Sequence, residues 1–225
     1  MTGRGALRAL PVAGLALSLL VVAGTVGAAA GPAGPAAEPK EVRVSVKENR
    51  AFRFAKDVVT IEGTIELAQG DVRLWAGRVV YDTKKKTGEL SGDPRLAQED
   101  LTITAAHFSA WFDEEKYTFA DGVRLVKKEK ESGGGEKLVL TADRVDYNAK
   151  DRSLAAAGNV SIRQKERTAT ARTAEYRDKE SRLILAGGVV VKDKEDKTIR
   201  GERVLIDLDQ DTVEVEGPVE AEFLL

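Results

Sequence analysis

One pattern constrains this chain more than any other: two apolar segments joined by a six-residue polar loop, repeated along most of its length. The stretch LVLTADRVDYNAKDRSLAAAGNVSI, residues 138–162, shows the unit whole, with segments Leu138–Tyr147 and Leu154–Ile162 and the loop Asn148–Ser153. Tyr147 recurs as Tyr81, Ala110, Tyr176 and Ile206, and Leu140 as Leu74, Ile103, Ala169 and Ile199. The column of Val160 falls at 65, 94, 123, 160, 189 and 219, in steps of 29, 29, 37, 29 and 30. Two positions before it stands glycine, at 63, 92, 158, 187 and 217, with Asp121 the one departure. Six copies at a fixed period predict a stack in which each unit buries its apolar face against its neighbours.

The unit reads as strands. Leu154, Ala156, Gly158, Val160 and Ile162 alternate with polar or small residues, and the other copies keep that phase. Alternation of this kind marks a sheet with one face inward and one in water. The first segment changes phase once, between Ala142 and Val145, and the same step recurs at Ala76/Val79, Ala105/Phe108, Ala171/Ala174 and Gly201/Val204. An extra residue at a fixed place in the first segment predicts a bulge or bend. Loops as short as DTKKKT or NAKDRS join antiparallel neighbours. Eleven or twelve strands are expected, the first alternating through Val42, Val44 and Val46 and continuing at Phe52 and Phe54. The long step holds a polar insertion, KKEKESGGGE, and no helical periodicity appears after residue 40.

The N-terminus has another character. Arg4 and Arg8 precede the apolar run Leu10–Val22, and Ala28–Ala30 offers a small-residue cleavage site. Residues 1–30 therefore read as a cleaved signal peptide, 31–40 as a Pro/Ala/Gly linker, and 41–225 as the folded domain, exported from the cytoplasm. The competing reading keeps Leu10–Ala30 as a membrane anchor. With no cysteine, the fold has no disulfide or thiolate metal site. Lys+Arg 35 against Asp+Glu 37, with 5% aromatic residues, argues against a nucleic-acid surface.

No catalytic constellation emerges, and neither a cofactor nor a metal is expected. His107 is the sole histidine and takes a column otherwise filled by Arg78, Arg144 and Arg203. That column is either neutralised by neighbouring acids such as Asp143 and Glu202, or it meets bound anions. DLDQDT lacks the glycine and terminal glutamate of a calcium loop. Arg152, in a polar loop, reads as a solvated position whose substitution is nearly silent.

The repeating L-x-A-x-x-V-x-Y and L-x-x-x-G-x-V units, clearest in residues 138–162 and in TATARTAEYRDKESRLILAGGVVV, resemble the OstA/LptA family, the periplasmic bridge of lipopolysaccharide transport. The resemblance spans roughly residues 57–220 and implies a repetitive open β-jellyroll, all-β, with two sheets folded into a V. It implies an apolar groove for lipid A acyl chains. The inward positions Leu74, Ile103, Phe108, Leu140, Val145, Ala156, Val160, Leu185, Val189 and Val215 are its expected lining, and Arg78, Arg144 and Arg203 are possible phosphate contacts. Implied partners are lipopolysaccharide and homologous jellyroll domains of inner- and outer-membrane components. The last segment, TVEVEGPVEAEFLL, lacks a polar cap, so Val213, Val215, Val219 and Phe223 are expected at an edge that joins copies head to tail. Alternatives are the membrane-anchored component of the same pathway, a ligand-free structural solenoid and a β-helix enzyme.

Overall fold

The computed structural model describes residues 41–128, 135–195 and 197–222. The proposed signal peptide and linker, the insertion tip 129–134 and Phe223 lie outside the described residues. Strands β1 (Val42–Ala55), β2 (Val58–Gln69) and β3 (Val72–Asp82) lead into four short ones, β4 (Thr87–Ser91), β5 (Arg95–Gln98), β6 (Leu101–Thr104) and β7 (His107–Trp111). Then follow β8 (Lys116–Lys128), β9 (Glu136–Asn148), β10 (Ser153–Gln164), β11 (Arg167–Arg177), β12 (Arg182–Lys192), β13 (Thr198–Asp207) and β14 (Thr212–Glu222).

All fourteen belong to one antiparallel sheet in which successive strands are neighbours, except that β4 does not pair with β5 nor β6 with β7. The count exceeds twelve because two repeat strands are interrupted: β4 and β5 both pair with β3, and β6 and β7 both pair with β8. The loop 177–182 contains a three-residue 3-10 helix, Asp178–Glu180, where no helix was expected beyond residue 40.

The bends lie where the phase change predicts, but the added residue is in the other strand. Ala157 faces Thr173 and Val160 faces Ala171, so the glycine-bearing strand spends three steps against two. The same imbalance recurs between Glu62 and Ile65 and between Ala186 and Val189. The backbone turns there through positive φ, 146° at Gly63 and 64° at Asp121, the column's one non-glycine. A short carboxylate side chain tolerates that region better than most.

The bends divide the sheet into two limbs. Limb A holds the hairpin turns near Gln69, Gln98, Lys127, Gln164 and Lys192, and limb B those near Asp82, Trp111, Asn148, Arg177 and Asp207. The two expected sheets are thus halves of one sheet folded over a common core. Leu140 on β9 pairs with Leu125 and Ile162, and Val145 with Phe119 and Ala156, so each repeat column becomes a buried row across neighbouring strands.

Candidate functional site

The inward rows form the candidate lining. Leu74, Ile103, Phe108, Leu140, Val145, Ala156, Val160, Leu185 and Val189 are each at most 2% exposed, while Val215 is half-buried at the margin of the core. The filling differs along the stack. Around β7 and β8 it is aromatic: Phe108 stacks on Phe119 at 4.6 Å, and Tyr117 on Tyr147 at 6.4 Å. From β10 to β13 it is mainly small and aliphatic, with Ala156, Val160, Leu185, Val189 and Val204, and Tyr176 is the buried aromatic there.

Opposite the bends, the tips of the limbs meet in a polar seam that the sequence reading did not anticipate. Gln69 Nε2 donates to the Phe112 carbonyl at 2.8 Å, and Tyr117 donates its hydroxyl to Gln69 Oε1 at 3.1 Å. One unit on, Tyr147 donates to Gln98 Oε1 at 2.5 Å, and Gln98 Nε2 donates to Asp71 at 2.8 Å and to the Ala149 carbonyl at 3.3 Å. At the next position the seam is charged. Lys127 pairs with Asp178 and lies 3.0 Å from Asp100 Oδ2. Arg152 bridges both acids, Nη2 to Asp100 Oδ1 and Nε to Asp178 Oδ2, each at 2.6 Å. Arg152, expected to be solvated, is a largely buried cross-link, its side chain 15% exposed.

These contacts set the local electrostatics. Burial pushes the Asp100 carboxyl up, but the hydrogen bonds from Lys127 and Arg152 outweigh it and leave the group below the ordinary range. Asp178 is held lower still by Lys127, Tyr176 and Arg152, again against burial. Burial raises the Tyr147 phenol, which stays a neutral donor.

The basic column lies outside, beside the bends, and each member has an acid. Arg78 faces Glu62 at 3.7 Å, His107 Nδ1 meets Asp121 at 2.8 Å, Arg144 binds Asp146 at 2.8 Å, and Arg203 pairs with Glu216. The acids are cross-strand or same-strand neighbours rather than the expected Asp143 and Glu202. Hydrogen bonding to Asp146 raises the Arg144 guanidinium further. Exposed pairs of this kind contribute little stability. No group of three or more His, Cys, Asp or Glu among the described residues is arranged to hold a metal.

The end strands β1 and β14 each pair on one side only. The inward positions Val42, Val44 and Val46 on β1, and Val213 and Val215 on β14, are half-buried. Phe52, Phe54 and Val219 are 45%, 66% and 49% exposed. No helix among the described residues is long and apolar enough to cross a membrane.

A protein family described as "LptA/(LptD N-terminal domain) LPS transport protein" matches residues 47–212. Among solved structures, LptH from Pseudomonas aeruginosa, titled the LptA homologous periplasmic component of a lipopolysaccharide transport device, is 15% identical. That match covers 68% of this chain and 95% of the other, with a TM-score of 0.29. No curated protein matches.

Proposed function

The chain belongs to the LptA/(LptD N-terminal domain) LPS transport protein family, and on that premise we propose that it is a periplasmic bridge for lipopolysaccharide. The lipid's acyl chains lie in the apolar interior, and copies join end to end. The observation that carries this reading is the continuity of the inward apolar rows with two one-sided edge strands. The core runs from Val59 to Leu208 without interruption, and Val42, Val44, Val46, Val213 and Val215 extend it to uncovered ends. A sheet edge with a half-exposed apolar row offers both backbone hydrogen bonds and apolar area to another strand. Joining β14 of one copy to β1 of the next is a heterologous contact, which grows into rods rather than closing. Such an array presents the interiors end on end, as a lipid route requires. Transport is a binding function here, with no reaction assigned to the chain.

Mass spectrometry of gently purified mature protein should find co-purified lipid A-containing species, and sedimentation should show association that rises with concentration. A lipid-free protein that stays monomeric at high micromolar concentration, and binds no jellyroll partner, would defeat the bridge.

A further inference from the structure

The seam has four equivalent positions, and one is unfilled. Gln69, Gln98, Lys127 and Gln164 share a single repeat column, four residues beyond that of Val160. The first three reach across to limb B: Gln69 to Phe112 and Tyr117, Gln98 to Ala149 and Tyr147, and Lys127 to Asp178. For Gln164 the corresponding limb B positions are Ile206 and Leu208, and Ile206 has no hydroxyl to give. Gln164 is 4% exposed, yet neither its Oε1 nor its Nε2 has a hydrogen-bond partner among the described residues. Leaving a buried amide unpaired is costly, whereas an apolar side chain of the same shape would avoid the penalty. A local rule broken without compensation in the fold points to a ligand. This position also lies beside the aliphatic half of the interior. Nearby, the seam is held by the ion pairs of Lys165 and Arg167 with Asp211, at 3.5 and 2.7 Å, with side chains 34–54% exposed. Pairs so exposed are weak.

We propose that Gln164 is the polar anchor of a lipid site in this half of the interior. Resting on the lipid-carrier reading above, it assigns an acyl chain bearing an ester or amide linkage. The chain packs along the aliphatic rows. Its linkage carbonyl accepts from Gln164 Nε2, and an adjacent N–H or hydroxyl donates to Oε1. Entry is sideways, between the β10–β11 hairpin and the turn at Leu208–Asp211, where the seam has its open position.

The test uses Gln164→Met, close in shape and without the amide, beside Gln98→Met, in the mature full chain. The probes are fluorescently labelled lipid A and an ether-linked lipid of matched chain length that lacks carbonyls. Expected for Gln164→Met is an unchanged or higher melting temperature, roughly tenfold weaker lipid A binding and unchanged ether-lipid binding. Gln98→Met should lower the melting temperature, because its amide is bonded in the fold. A melting loss in Gln164→Met equal to that of Gln98→Met would overturn the anchor, by making Gln164 another closed seam position. So would a lipid A preference over the ether lipid that survives the substitution. If the wild-type chain binds neither lipid, the lipid-carrier reading falls and the anchor with it.

Discussion

Arg152 and Asp100 lie on opposite limbs of the folded sheet, 52 positions apart, and meet at 2.6 Å. With Lys127 and Asp178 they make a four-residue charged closure of the seam, in which every charge faces at least one of opposite sign.

Removing one member leaves the others buried and unbalanced. Arg152→Ala should lower stability by about 3 kcal/mol, and Arg152→Asp by more, because it sets a further acid beside Asp100, Asp178 and Glu99. Lys150→Ala, an exposed neighbour in the same loop, should change little. Urea unfolding of the three variants checks this, and equal midpoints would show that the closure contributes nothing.

The same acids predict acid sensitivity. Asp100 and Asp178 have folded values depressed below the ordinary carboxylate pKa. Their contribution is fully present above the unfolded value of about 3.9 and is lost as pH falls from there through the depressed folded values. Stability should therefore hold from neutral pH to about pH 5 and decline below about pH 4. Asp178→Asn should be less stable at pH 7 and decline less steeply in acid. A parallel pH profile in wild type and variant would count against the assignment.

Tyr147→Phe isolates one neutral seam bond. It leaves the apolar ring in place but strips Gln98 Oε1 of its partner, at a cost of about 1–3 kcal/mol. Scanning calorimetry should show the loss. In a double-mutant cycle with Gln98→Met the two losses should be less than additive, because both substitutions remove the same bond. Fully additive losses would place the cost of Tyr147→Phe elsewhere.

At the first bend, a Cβ on Gly63 would sit 1.7 Å from the Glu48 carbonyl oxygen of β1. Gly63→Ala should force β1 from β2 locally and cost about 2 kcal/mol or more. Gly217→Ala meets nothing within 4 Å and carries only the strain of its φ of 92°, about 1 kcal/mol. Hydrogen exchange should then show loss of protection confined to β1 in the first variant. An intact β1 would contradict the close approach.

The repeat columns made the all-β fold and its buried rows legible before any coordinates, because burial imposes one residue class at a fixed spacing. Leu140, Val145 and Leu185 needed nothing more. The seam was harder to see. Its column of Gln69, Gln98, Lys127 and Gln164 stood in the sequence, but polar residues at hairpin ends look the same whether they face water or another limb. Arg152 was misread for that reason, since loop composition records polarity and not the acid that folding brings from 52 positions away. The phase step at Ala142/Val145 located the bend. The partner strand's added residue at Gly158 was hidden by an alternation that stays in phase across it.

The seam contacts that cross from one limb to the other join residues 43 to 52 apart, whereas the repeat advances by 29. Each turn tip on limb A therefore fastens to a tip about one and a half units further along. The closure is a screw thread rather than a set of rings. A threaded stack ends in a step, with one limb reaching past the other, and never in a flush face. Two copies laid end to end can consequently seat only in the angular setting that continues the thread, so the geometry of a filament would be encoded in its pitch and not in its end residues alone.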